Sequence, residues 1–164
     1  LLATPVYGGL WRRAAASVVD GLVMFFPDAI LRVLLDLPTL VTLRPVLESD
    51  VPRLMLVYAF ETATWWLYMA SMESSAWQGT LGQQLMGLRV TTVAGARVSF
   101  ARASGRYFAQ WLSVLICGMG YLFNLWTSRR QTLHDMIAGC VLVRRGLTAP
   151  APRAPEGFAG GQAA

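Results

Sequence analysis

Residues 11–31 read WRRAAASVVDGLVMFFPDAIL: an arginine pair, Arg12 and Arg13, and then a mainly apolar run with one acid, Asp20, in its interior and another, Asp28, near its end. At about 1.5 Å of rise per residue, a run of this length crosses about 30 Å of hydrocarbon as a helix. Asp20 lies near its middle, where insertion of an aspartate costs about 2.5 to 3.5 kcal/mol and each valine, leucine or phenylalanine contributes about −0.3 to −0.6. One acid offsets most of what the larger apolar residues supply, so Asp20 should face a partner or a water-filled cavity. Arg13 precedes it by two helical turns on nearly the same face, about 10 Å away along the axis. That spacing suits contact through a bridging group better than a direct tight pair. Twin arginines before an apolar run also occur in export signals, but Asp20, the lack of an evident small-residue cleavage site and further apolar spans downstream oppose that reading.

The composition of the whole chain agrees with a membrane protein. Of 164 residues, 55% are hydrophobic and 14% charged, and the mean hydropathy is +0.46; a water-soluble domain carries about 25% charged residues. All 14 basic residues are arginine, against 9 acids, for a formal charge of +5. Because the arginines flank apolar runs they read as topology signals rather than as a nucleic-acid surface. Cys117 and Cys140 lie in or beside apolar stretches and read as two buried free thiols, with a disulfide the weaker alternative. The chain opens on leucine rather than methionine, so a preceding segment is allowed for.

Outward from the first span, Pro27 and Asp28 read as a kink or exit, and residues 32–53 as an external loop broken by Pro38, Pro45 and Pro52. From the exit into this loop Asp28, Arg32 and Asp36 recur every fourth position, a ladder worth tenths of a kcal/mol if helical. A second span runs from about Leu54 to Met72, with Trp65, Trp66 and Tyr68 as an interfacial belt. After it, ESSAWQGTLGQQLMGLRV predicts a short interfacial helix around Thr80 to Met86. A cytoplasmic β-hairpin is expected next, from Leu88–Val93 and Arg97–Phe100, turning at Ala94 and Gly95. The third apolar stretch, about Tyr107 to Trp126, is interrupted at Gly118 and Gly120. Arg102 and Arg106 precede it and Arg129 and Arg130 follow, so spanning would place one cluster outside; a re-entrant hairpin keeps both inside. RRQTLHDMIAGCVLVRR closes the ordered chain with a short helix and a strand, and residues 146–164 read as a disordered Ala/Pro/Gly tail.

Beyond Asp20, two polar features stand out. Glu61 is a second acid within a span, with two readings: a hydrogen bond to a neighbouring helix or the interface, or a pair with Asp20 sharing a cation or proton. His134 and Asp135 follow the Arg129–Arg130 pair. Thr132 as N-cap and Asp135 three residues on account for their spacing as a capping box; a general base is the alternative, but no nucleophile motif and no metal set accompany it. GTLGQQLMG lacks the GK[ST] ending of a phosphate loop and no strand leads into it.

Taken together, WRRAAASVVD, ESSAWQGTLGQQLMGLRV and RRQTLHDMIAGCVLV resemble the RDD family of small bacterial membrane proteins over residues 8–145. The resemblance implies that Arg13, Asp20 and Asp135 are the residues for which the family is named. It also implies a bacterial inner-membrane protein with Arg13 and Asp135 near the cytoplasmic face, which puts the C-terminus on the same side as the N-terminus that Arg12 and Arg13 set inside. Gln83 and Gln84 stand where similar sequences carry a basic residue, Cys140 where a threonine is usual, and Glu61 lies outside the family signature. Ligand transport has been suggested for the family and sodium/proton exchange is implied for some members.

The expectation is therefore a mainly α membrane protein: two transmembrane helices, a third apolar segment that re-enters or spans, and a small cytoplasmic hairpin. As function it predicts movement of a monovalent cation or proton, probed through Asp20 and Glu61 with Arg13, His134 and Asp135 as a charge network. The alternative is a non-transporting scaffold whose arginine and aspartates are structural. No enzymatic activity, cofactor, metal or nucleic-acid partner is expected; the bilayer and a second copy or another membrane protein are.

Overall fold

The computed structural model describes residues 4–37, 50–116 and 118–149. It is mostly helical, with a small antiparallel sheet at one end. In chain order the elements are β1 (Thr4–Tyr7), α1 (Leu10–Leu34), α2 (Val51–Ser74), α3 (Leu81–Leu85), β2 (Leu88–Thr92), α4 (Phe100–Leu115), α5 (Met119–Trp126), α6 (Leu133–Ile137) and β3 (Cys140–Ala149).

The expected exit at Pro27 and Asp28 does not occur: α1 runs through Pro27 for 25 residues to Leu34. A proline removes one backbone hydrogen bond, a loss that an otherwise apolar helix in lipid tolerates. The ladder is shortened accordingly. Arg32 pairs with Asp28 at 2.7 Å, whereas Asp36 sits beyond the helix with φ at 50°. α2 begins at Val51, with Pro52 in its first turn, where a missing N–H costs no helical bond. The helices thus take both ends of the expected external loop, and residues 38–49 lie outside the described residues.

The expected hairpin is also corrected. Residues 92–96 do turn, with Thr92 N–H donating to the Ala96 carbonyl at 2.8 Å, but residues 97–99 form no strand. Val98 instead buries its side chain among Leu88, Val90, Cys140 and Leu142, and the Ser99 hydroxyl caps α4 by accepting from Arg102 N–H. β2 pairs with β3, from Leu88 opposite Arg144 to Thr92 opposite Cys140. On its other side β3 pairs with β1, a strand the sequence reading omits, giving the order β1-β3-β2. Because β1 holds it, β3 reaches Ala149, past the expected boundary at residue 145; residues 150–164 of the expected tail lie outside the described residues.

Among the described helices α1 alone is by itself long and apolar enough to cross a membrane; α4 and α5 qualify only as a pair bent by 104°. α2 is nearly as long but carries Arg53, Glu61 and Glu73. The distribution of side chains is inverted relative to a water-soluble protein. Val18, Leu22, Phe26 and Ile30 of α1, Leu56 and Phe60 of α2 and Leu115 and Trp126 of α4 and α5 are exposed, while Asp20, Glu73, Arg106 and Asp135 are buried. An apolar surface of that extent on an isolated chain is one that a membrane or another protein covers.

Candidate functional site

The buried polar residues gather where the sheet end of the bundle meets α1, and short-range capping explains how several of them arrive there. Thr80 starts α3 in a capping box with Gln83: the hydroxyl accepts from Gln83 N–H, and the Gln83 side-chain oxygen accepts from Thr80 N–H at 3.1 Å. Thr132 and Asp135 do the same for α6, with Asp135 Oδ2 accepting from Thr132 N–H at 3.2 Å. Two five-residue helices are thereby fixed so that their first turns face α1 and α4.

Gly82 brings α3 against α1. A Cβ on Gly82 would stand 2.1 Å from the Ala16 carbonyl oxygen, so only glycine admits this approach. Across it, Asp20 accepts three hydrogen bonds: Gly82 N–H at 2.8 Å, the Thr80 hydroxyl at 2.6 Å and the Tyr68 hydroxyl at 2.8 Å. None of these donors carries a charge.

From Thr80 the network continues through Gln83, whose side-chain amide donates to Glu73 at 2.9 Å. Arg106 holds Glu73 in a fork, with Nε at 2.8 Å from Oε2 and Nη2 bonded to Oε1. Its third nitrogen, Nη1, lies 3.0 Å from Asp135 Oδ1. Asp135 Oδ2 in turn takes Arg13 Nη1 at 2.5 Å, and Arg13 also donates to the carbonyls of Arg130 and Gly8. Asp20, Thr80, Gln83, Glu73, Arg106, Asp135 and Arg13 therefore form a ring closed by α1 itself. Two arginines face two acids within it; Asp20 has no arginine. Among the described residues no buried side-chain nitrogen or oxygen lacks a partner.

The field of the ring acts on its neighbours. Burial would raise the Asp135 carboxyl, but Arg13 and Arg106 outweigh it and hold it well below the usual carboxylate range. His134 is pushed down to about 4, chiefly by burial and further by the two arginines, against the attraction of Asp135. Its ring is neutral at pH 7, with Nε2 2.9 Å from the Thr132 hydroxyl, Nδ1 3.4 Å from Ser113 Oγ, and its edge against Tyr121. Burial raises the Cys140 thiol to about 11, so it is a protonated, buried free thiol; Cys117 lies outside the described residues.

The structure does not bring Asp20 and Glu61 together. Glu61 is bonded by Arg32 Nη2 at 2.6 Å, and Arg32 lies about 18 Å beyond Asp20 along α1. The two acids border different cavities. One of about 440 Å³ lies beside Asp20, Arg13, Arg106 and His134. The other, about 530 Å³, lies between α1 and α2 beside Asp28 and Glu61 and begins at Gly21, the residue after Asp20. Arg13 and Asp135 do share one network, through a direct ion pair. No group of three or more His, Cys, Asp or Glu able to hold a metal ion occurs among the described residues.

Glu73, Arg106, Thr80 and Gln83 of the ring, and Tyr68 that donates to Asp20, are passed over as site residues by the sequence reading. The T-x-x-Q spacing of Thr80 and Gln83 carried a legible capping signal. Glu73 reads as the end of a span and Arg106 as a flanking topology charge, and nothing local marks them as partners 33 positions apart.

The model of the RDD family matches residues 7–139. The chain belongs to the RDD family. Its relatives include an uncharacterized protein, YxaI, of Bacillus subtilis (strain 168), 27% identical over 79% of this chain and 91% of YxaI. A proline-rich antigen homolog of Mycobacterium tuberculosis (strain ATCC 25618 / H37Rv) is 32% identical over 48% of this chain and 37% of that protein. The proline-rich antigen of Mycobacterium leprae (strain TN) is 37% identical over 35% of this chain and 24% of its own length. No solved structure matches. With the RDD assignment in place, the three residues that the resemblance singles out occupy one ring: Arg13 and Asp135 as an ion pair, and Asp20 as the acid held by neutral donors. Gln83, a departure from similar sequences, bridges the Thr80 N–H and Glu73 through its side-chain amide.

Proposed function

We propose that this RDD protein is a non-enzymatic, multi-pass protein of a bacterial inner membrane that moves a monovalent cation or proton along the seam between α1 and α2. Both termini lie on the cytoplasmic side. α1 and α2 cross, and the bent pair α4 and α5 re-enters. Several observations support that topology. Arg12, Arg13, Arg106, Arg130 and Arg144 sit at the sheet end, as the positive-inside rule expects of a cytoplasmic face. Both ends of the third apolar segment are tied to that same end: Arg106 of α4 bonds Asp135, and Asn124 of α5 bonds the Gly8 and Arg130 carbonyls.

The observation that carries the ion reading is the setting of Asp20, a buried acid with no cationic partner on the wall of a cavity. The Tyr68 hydroxyl lies 2.8 Å from one of the Asp20 carboxylate oxygens, Oδ1, and the Thr80 hydroxyl 2.6 Å from the other, Oδ2. Rotating the two hydroxyl protons away would offer the carboxylate and hydroxyl oxygens to a small hard cation, and protonating Asp20 would replace it. The Glu61–Arg32–Asp28 cluster stands further along the same seam and would receive the ion next. A second copy of the chain would close cavities that one subunit leaves open to lipid.

The second reading, a non-transporting scaffold, is favoured by the closed ring, which locks α1, α2, α3, α4 and α6 together with every described buried polar side-chain atom satisfied. One experiment separates them. Inverted membrane vesicles carrying a preformed pH gradient are challenged with sodium, lithium or potassium, comparing wild type with Asp20→Asn at matched membrane content. A cation-dependent collapse present in wild type and lost in the variant is expected; no response in wild type overturns ion transport and leaves the scaffold.

A further inference from the structure

Most arginines of the inner ring and the seam are paired: Arg13, Arg32 and Arg106 each face one or two acids. Three others are not. Arg12 of α1, Arg130 of the segment after α5 and Arg144 of β3 come together on the wall of a groove of about 910 Å³ that no acid lines. Among the described residues, none of the three is in an ion pair. Arg12 donates to the Met86 carbonyl at 3.0 Å.

The groove is built to keep them there. Arg130 adopts a left-handed backbone, φ 48°, a conformation that costs a non-glycine residue about 1 kcal/mol or more and persists where its surroundings enforce it. Here its carbonyl is held by Arg13 and by Asn124. β3 fixes Arg144 through its register opposite Leu88. The first turn of α1 opens into the same groove with no acid and no side-chain cap, so its N–H groups add to the positive field. Beside these polar groups stand Tyr7, Leu125 and Trp11, the last 86% exposed. The apolar wall is continuous with the lipid-facing sides of α1 and α5.

We propose that this groove binds the phosphate headgroup of an anionic phospholipid from the leaflet on the sheet side, its acyl chains lying along α1 and α5. Phosphate chemistry is chosen by the three arginines, and lipid rather than free phosphate by the apolar wall that leads out of the groove into the bilayer. The inference rests on the membrane-embedded reading and is independent of whether an ion is moved. It places a lipid against Arg130, whose backbone carbonyl is a ligand of Arg13, and so in mechanical contact with the ring.

The test is a calorimetric titration of the full-length chain in a neutral detergent. The probes are dioctanoyl phosphatidylglycerol, dioctanoyl phosphatidylcholine and inorganic phosphate. Saturable binding of the glycerol lipid, at least tenfold tighter than the choline lipid, is expected. Arg12→Gln with Arg144→Gln should weaken it about 30-fold, about fivefold for each arginine. Arg89→Gln with Arg97→Gln removes equal charge from outside the groove and should change it less than about twofold. Unchanged thermal unfolding of both double variants keeps the comparison one of binding. Equal losses in the two double variants, equal affinity for the two lipids, or displacement of lipid by millimolar phosphate would each overturn the site. Extraction of the wild-type chain from membranes by alkaline carbonate would overturn the membrane reading itself, whereas lost lipid selectivity in a carbonate-resistant protein concerns the groove alone.

Discussion

Two acid clusters on the same pair of long helices differ in almost every physical respect. Near the sheet, Asp135 is fully buried between two arginines and Glu73 is nearly so. Toward the other end, Glu61 shares Arg32 with Asp28, and its side chain keeps 20% of its exposure. The first cluster is crossed by five helices and two capping boxes; the second joins only α1 and α2. A charge pair that is entirely enclosed has no water to fall back on, so every partner must be present at once. A pair at the wall of an open seam can exchange partners with water or an ion. The contrast locates rigidity at the sheet end and adaptability along the seam.

The largest expected effect breaks the enclosed cluster. Arg106→Met leaves two buried acids facing one arginine and should cost about 3–5 kcal/mol, seen as loss of a folded, monodisperse species in detergent. Arg106→Lys should rescue little, because a single ammonium cannot reproduce the fork on Glu73 while also reaching Asp135. Second, Gly82→Ala places a methyl against the Ala16 carbonyl and drives α3 from α1. A loss of about 3 kcal/mol in thermal stability is expected, at the upper end for overpacking because the neighbour is backbone.

Acidification sharpens the comparison without mutation. Unfolded histidine gains a proton near pH 6.5, whereas His134 in the fold does so only at about 4. The stability its neutrality contributes is complete above pH 6.5 and is lost as pH falls toward 4. Between pH 6.5 and 5 the loss should be about 2 kcal/mol, and thermal unfolding of His134→Gln should show a flatter profile. The depressed carboxyl of Asp135 works in the same direction at lower pH: its contribution is present above about pH 4 and declines below it. The smallest effect belongs to the open cluster. Glu61→Gln leaves Arg32 paired with Asp28 and should cost less than about 1 kcal/mol; a loss comparable to that of Arg106→Met would erase the distinction between the two regions.

Much of this was legible locally. Asp20 announced itself because an acid in an apolar run is costly unless partnered, and the capping of α6 by Thr132 and Asp135 follows from three-residue spacing alone. Features that depend on distant chain were not. The 97–99 segment has strand-like alternation, yet the exposed edge of β2 is met by Gln78 and Ala96, so Val98 joins the core from a loop. Pro27 reads as a break by its own chemistry, and the helix continues because apolar residues resume after Asp28, whose charge Arg32 pairs one turn on. The pairing of Asp20 with Glu61 rested on shared composition, which says nothing of depth along a helix.

By itself, then, the sequence determined the apolar spans, the two short capped helices, the arginine-rich end and the requirement that Asp20 be satisfied, since each depends on neighbours within a few positions or on bulk composition. Only the tertiary structure decided who satisfies whom. Glu73 meets Arg106, Asp135 meets Arg13, and β3 lies between β1 and β2, because a partner is selected by which surfaces pack after the helices assemble, and residues 122 positions apart along the chain carry no local mark of that meeting.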